Sequence, residues 1–218
     1  MMLRYLGHAA FELVLADGRR LLFDPYEPGS YDGAVRFDPI ETGQDIVVVS
    51  HDHPDHRWEK AVEDAGIVID SAGEHDLEGV KITSYLTYHD ETGGSERGTN
   101  LVSIVEADGL RIAHMGDLGH MIDLGSMPVL KGVDLLMLPV GGFFTIDSGM
   151  AAEIARVIGP GIVVPMHYKT EKLGFPIASV DGFTEIMDNV EIMGGSELEI
   201  VPSVLSESIR VVVLEPAM

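Results

Sequence analysis

Ile46-Val47-Val48-Val49-Ser50-His51-Asp52-His53-Pro54-Asp55-His56 is the stretch on which the reading of this chain turns. The apolar run 46–49 has the length and β-branching of a buried strand. Five of the six residues from His51 to His56 carry ligand-type side chains. Residues two apart on an extended segment point the same way, so His51 and His53 can bind one ion together. Pro54 favours an extended conformation for His53. Asp55 and His56 are expected to open an amphipathic helix with Trp58, Ala61, Val62 and Ala65 at helical spacing, and both can face a second ion. Solvated histidines with Asp55 as a plain N-cap would account for one His. They do not account for His-x-His-x-Asp-His at a strand exit. Imidazole and carboxylate suit zinc, iron or manganese, and no thiolate calls for a softer metal.

Working outward, composition narrows the partners. A length of 218 residues favours one domain. Thirty-six acidic residues against 14 basic ones give a formal charge of −22, a field that repels phosphate backbones, so nucleic acid is not an expected partner. There is no Cys, hence no disulfide and no thiol nucleophile. The longest apolar stretch, 135–144, is broken by Pro139, Gly141 and Gly142 and is too short to span a bilayer. The apolar N-terminal run is interrupted by Glu12, unlike a signal peptide. A cytoplasmic protein acting on a small molecule, with no membrane partner, is the default expectation. Oligomeric state stays open, a homo-oligomer included.

The strands are expected at Leu3–Leu6, Phe11–Leu15, Arg20–Phe23, Ile67–Ile69, Val80–Leu86, Asn100–Glu106, Leu110–His114, Leu135–Val140, Ile162–Met166, Glu197–Ile200 and Ile209–Leu214. Asp17-Gly18 and Asp108-Gly109 mark hairpins. Ser148–Ile158 reads as a helix capped by Ser148 or Asp147 and stopped by Gly159-Pro160, and 179–189 also reads as helical. Residues 26–44 lack periodicity and are either a lid or binding loop or a plain connection. Strands alternating with helices while many neighbours are hairpin-linked argue mixed sheets with helices outside. Asp24, His51, His89, Asp117 and His167 each follow an apolar strand, as residues on one shared rim would.

His51-x-His53-x-Asp55-His56 resembles the signature of the metallo-β-lactamase superfamily. Gly7-His8, Phe23-Asp24-Pro25, His89-Asp90, residues 114–120 (HMGDLGH), residues 139–142 (PVGG) and Pro165-Met166-His167-Tyr168 extend the likeness over about residues 3–170. Together they are similar to the branch containing ascorbate-6-phosphate lactonase-like proteins and other metal-dependent hydrolases. The resemblance implies a four-layer αββα sandwich with the site on one edge. It implies two divalent cations, zinc first, with manganese or iron as alternatives. His51, His53 and His89 would hold one ion, Asp55, His56 and His167 the other, and Asp117 would bridge them. Asp24, on position alone a turn former before Pro, becomes a residue that supports the ligands from behind, and His8 one near the metals. His114 and His120, beside Asp117, stay outside the ligand set.

The expected activity is hydrolysis, on a lactone, ester, amide or phosphodiester, with Asp55 doubling as the group that orients the attacking water and moves its proton. Lys169, in a chain with only five lysines, is either solvated or a contact for an anionic substrate. Two rivals stand beside hydrolysis. A di-iron redox protein of the same fold would carry Glu in place of His53 and usually a flavin domain, and this chain has neither. A metal-binding protein without turnover would keep the ligands and lack a substrate.

Overall fold

The computed structural model describes residues 1–202 and 208–218. Two mixed sheets carry the chain. In the first, β1 (Met2–Gly7), β2 (Ala10–Val14) and β3 (Arg20–Phe23) form an antiparallel meander, and β4 (Ile46–Val48) and β5 (Ile67–Ile69) continue it in parallel. β13 (Glu197–Glu199) closes the opposite edge, giving the order β13-β1-β2-β3-β4-β5. The second sheet contains β6 (Gly73–Asp76), β7 (Lys81–Tyr88), β8 (Thr99–Ala107), β9 (Leu110–His114), β10 (Leu135–Pro139), β11 (Ile162–Met166), β12 (Val190–Ile192) and β14 (Arg210–Val213). Its order is β12-β14-β11-β10-β9-β8-β7-β6, parallel from β12 to β9 and antiparallel from β9 to β6.

Alternation along the strands builds the layers. Ile46 and Val48 of β4 join Leu21, Phe23, Leu3 and Tyr5 in the core between the sheets. Val47, Val49, Leu22 and Leu6 point the other way, into a smaller apolar cluster with Val35, Phe37, Ile40, Trp58 and Ala61. The parallel strands β10 and β11 are buried along their whole length, which is why they read as unbroken apolar runs. The helix Ser148–Ile158 covers β10 with Ala151, Ala152, Ile154, Ala155 and Ile158. Asp147 is its cap, accepting from the Met150 N–H at 2.9 Å, and Gly159 ends it in the left-handed conformation. The αββα sandwich expected from the sequence is the observed architecture. Among the described residues no helix is long and apolar enough to cross a membrane.

Two helical expectations contract. The helix after the His-rich segment spans only Glu59–Glu63, so Asp55 and His56 precede it. The N–H groups of His56 and Arg57 turn back to the His53 carbonyl, and the Trp58 N–H is taken by Pro25. Those bonds hold the segment in tight turns that aim both side chains inward. In 179–189 only Asp181–Thr184 is helical; turns follow, and Asn189, at φ +54°, leads into β12. Residues 26–44 bury Val35, Phe37 and Ile40 and bridge to Leu173 through Val35, which fixes the loop against the sandwich.

Candidate metal centre

Six residues of interest sit at or just beyond strand ends: His8 after β1, Asp24 after β3, His51 after β4, His89 after β7, Asp117 after β9 and His167 after β11. The strand ends meet on one rim, where Leu101 N–H donates to the Ser50 carbonyl and His167 N–H to that of His8. His8, Asp24 and His167 have φ values of +56°, +43° and +52°. Such left-handed backbone is costly outside glycine and is kept where the surroundings over-determine it. Here it turns three side chains inward immediately after a strand.

Asp117 is the hub. Its Oδ2 lies 3.2 Å from Nε2 of His56, His89 and His167, and 3.9 Å from Nε2 of His51. The backbone places it firmly, because the Asn100 Oδ1 accepts from the Asp117 N–H at 2.9 Å while Asn100 Nδ2 donates to Thr87 and to the Met115 carbonyl. Gly116 (φ +54°) is required just before it, since a Cβ there would run into Asn100 Oδ1 and Ser50. Ligand-type atoms cluster in three overlapping groups: His51, His53 and His89; His51, His56 and Asp117; and His8, Asp55, His56 and His167. All seven residues assigned by resemblance are therefore brought together. His89, not His114, faces the cluster.

The hydrogen bonds fix the tautomers that matter. Asp24 can only accept; its Oδ2 takes the Ser50 Oγ–H at 2.6 Å and the His56 Nδ1–H at 2.8 Å, and its Oδ1 takes the Ser50 N–H at 2.7 Å. With its single proton spent on Asp24, Ser50 Oγ must accept from His51 Nδ1, 2.9 Å away. So His51 and His56 each turn an Nε2 to the interior; that of His51 has no hydrogen-bond partner among the described residues, and that of His56 meets only carboxylates, Asp117 at 3.2 Å and Asp55 at 3.7 Å. Buried polar atoms without partners are costly, and a neutral imidazole whose far nitrogen is held by a second residue is the usual form of a metal ligand. The residues fit a divalent cation.

Electrostatics agree. Burial, followed by the charge of His56, pushes His51 down to about 3, leaving a neutral ring. Burial and the neighbouring His167 push His8 down to about 4. Burial also disfavours the charged form of His56, yet Asp117 and Asp55 outweigh it and hold a proton there well above the usual imidazole range. Burial would raise Asp117, but His167 and His56 hold it well below the usual carboxylate range. The proton on His56 offsets part of the carboxylate charge, and a bound cation would displace it.

The remaining expected residues fall around this centre. His8 spends Nε2 on Asp55 Oδ2 at 3.0 Å, and Tyr31 donates its hydroxyl to Asp55 Oδ1 at 3.2 Å. His114 stacks on Phe23 and ties the Gly116 N–H to the Ala9 carbonyl, a packing role. His120 accepts from the Tyr88 N–H and donates to the Met121 carbonyl. Lys169 does not line the cavity beside the centre; its Nζ donates to the Phe175 carbonyl at 2.6 Å. That amine holds the chain that carries Phe175. The cavity, about 310 Å³, is walled by Tyr31, Phe144, Phe175, Glu96 and Arg97 above His53, Asp55, His89, Asp117 and His167. Sequence patterns do not flag Ser50, Asn100, Tyr31, Arg97 or the two phenylalanines, none of which has a motif of its own.

A His/Asp cluster on the rim between two mixed sheets defines the class, the metal-dependent hydrolases of the metallo-β-lactamase fold. Known proteins agree with it. The beta-lactamase superfamily domain matches residues 2–167, and the chain belongs to that family. A UPF0173 metal-dependent hydrolase of Thermococcus onnurineus is 33% identical over 77% of this chain and 84% of its own length. One from Caldivirga maquilingensis is 33% identical over 77% and 82%. A crystal structure from Thermotoga maritima, assigned to the Zn-dependent hydrolases of the metallo-beta-lactamase superfamily, is 31% identical with a TM-score of 0.78, covering 98% of this chain and 97% of that one.

Proposed function

We propose that this chain hydrolyses a small ester, lactone or phosphoester-type substrate with the help of two divalent cations, zinc in the first instance. His51, His53 and His89 would hold one, Asp55, His56 and His167 the other, with Asp117 between them. The observation that carries this reading is Asp117 Oδ2 among four imidazole nitrogens, two from each set. When bound, such cations lower the pKa of water toward about 7 and polarise a carbonyl or phosphoryl oxygen.

The chain's own residues supply the rest. Asp55, at the cavity floor, receives the proton of the attacking water and passes it to the leaving group. His8, neutral through its pKa of about 4, donates to the far side of that carboxylate and keeps one oxygen fixed. The Tyr31 hydroxyl does the same for the other oxygen; burial, followed by the Asp55 charge, pushes its pKa above the usual phenol range, so it stays a donor. Phe144 and Phe175 exclude water from one wall. The −22 charge turns away long polyanions, so the substrate is a small molecule and not a nucleic acid.

Turnover on a panel of esters, lactones and phosphodiesters, before and after chelation and zinc reconstitution, tests the reading. Hydrolysis that disappears with chelation and returns with zinc is expected. Full zinc occupancy with no turnover on any member would favour a metal-binding protein instead. Ser50→Ala breaks the relay between Asp24 and His51, and outer partners of this kind contribute about 10–100-fold in metal affinity. Competition against a chromogenic chelator should read that loss; unchanged affinity would show that Ser50 does not support the centre.

A further inference from the structure

The cavity wall leads from the centre to one cation. Tyr31, hydrogen-bonded to Asp55, meets Phe175 edge-on at 5.3 Å between centroids. Phe175 meets Phe144 at 5.8 Å, and the Arg97 guanidinium lies over Phe144 at 5.9 Å. An apolar surface thus connects the reacting end of the cavity to a positive charge. Among the cavity-lining residues Arg97 is the only Lys or Arg, and Glu96 beside it is the only acid outside the candidate ligand set.

The guanidinium is poised and unspent. Among the described residues it makes no hydrogen bond, and its one ion pair is a loose 3.8 Å contact to Glu96, whose side chain is 59% exposed. Such a pair contributes little, so the five N–H donors in their planar fork remain available to a carboxylate or phosphate. Arg19, Arg20, Arg57 and Arg210, by contrast, each donate to an acidic side chain.

The backbone of Arg97 is held in place. Asp90 accepts five hydrogen bonds, from Thr92 N–H and Oγ1–H, Gly94 N–H, Glu96 N–H and Arg97 N–H, at 2.8–3.0 Å. That carboxylate gathers residues 92–97 into one loop at the cavity mouth.

We infer that Arg97 anchors an anionic group of the substrate, so that the substrate class is a hydrolysable molecule bearing a carboxylate or phosphate at the far end of an apolar segment. Asp90 is the positioning residue of that anchor. The inference rests on the proposed hydrolytic reading for the word substrate, but not for the binding itself.

Calorimetry on the zinc-loaded protein separates the two. The probes are heptanoate, hexyl phosphate, the neutral isostere heptanamide and acetate. Arg97→Met keeps the residue-97 N–H on Asp90 and a side chain of similar reach, and removes the guanidinium together with its contacts to Phe144 and Glu96. Charge-assisted hydrogen bonds of this kind correspond to a loss of about 10- to 100-fold. The weakening should fall on whichever long-chain anion is the better ligand, and far less on heptanamide; that preference identifies carboxylate or phosphate. Heptanoate should also outbind acetate, through the aromatic wall, and Arg97→Lys should recover part of the loss. Asp90→Asn should weaken the anion in the same direction. Equal affinity of wild type and Arg97→Met for both long-chain anions would overturn the inference, because the anion would then be held elsewhere, at the metals for example. Equal losses for anion and amide would overturn it too, by making Arg97 a packing residue. Neither result depends on turnover, whereas a silent substrate panel would sink the hydrolytic reading alone.

Discussion

Asp117→Asn should lower kcat/KM by more than about 100-fold, beyond the range typical of outer-sphere partners. The substitution keeps size and shape, and the Asn100 bond to the residue-117 N–H survives because it is made to backbone. What goes is the charge at the hub. Four imidazole nitrogens converge within 3.9 Å of one Asp117 oxygen. A neutral amide there would leave the two proposed cations in a site with one carboxylate fewer to offset their charge. Metal content should fall with activity, and elemental analysis of the desalted variant alongside kinetics would check both. A variant that keeps full metal and full rate would remove the bridging role.

Asp55→Asn is expected to behave differently. Asp55 lies on the cavity surface with both oxygens engaged, Oδ2 by His8 and Oδ1 by Tyr31. Burial would raise its pKa, but His56 and His8 hold it below the usual carboxylate range, so it is an anion at neutral pH. Removing a positioned proton acceptor costs about 10²–10⁴-fold, and kcat should fall by about that much in protein reconstituted to full zinc occupancy. KM should change far less. If the rate at full occupancy is unchanged, Asp55 is a ligand and nothing more. A rate that falls only in proportion to lost metal would also reduce Asp55 to a ligand.

How much of the molecule is legible in its sequence depends on which features are local. His-x-His-x-Asp-His and the β-branched strands around it are contiguous patterns, and they carry the resemblance that implies the sandwich and the seven ligand-type residues on its rim. The helix after them starts later than its periodicity suggests because the competing contacts are distant: the Trp58 N–H is claimed by Pro25, more than thirty positions earlier. Ser50 and Asn100 look like ordinary strand polar residues. Their roles exist only once β4, β8 and β9 bring Asp24, His51 and Asp117 within reach. Lys169 stands out by rarity, yet its amine goes to a neighbouring carbonyl. Arg97, in a polar loop, occupies the cavity instead. Its signal in the sequence is faint: an Asp90 followed by a Gly-rich turn, the composition of a loop wrapped on a carboxylate.

Two cations bound at one site are the central claim. Anomalous scattering at the zinc edge, from crystals of this protein saturated with zinc, tests it most directly. Two peaks are predicted, one among His51, His53 and His89 and one among Asp55, His56 and His167, with Asp117 between them. A single peak under saturating zinc, or peaks away from these side chains, would contradict it.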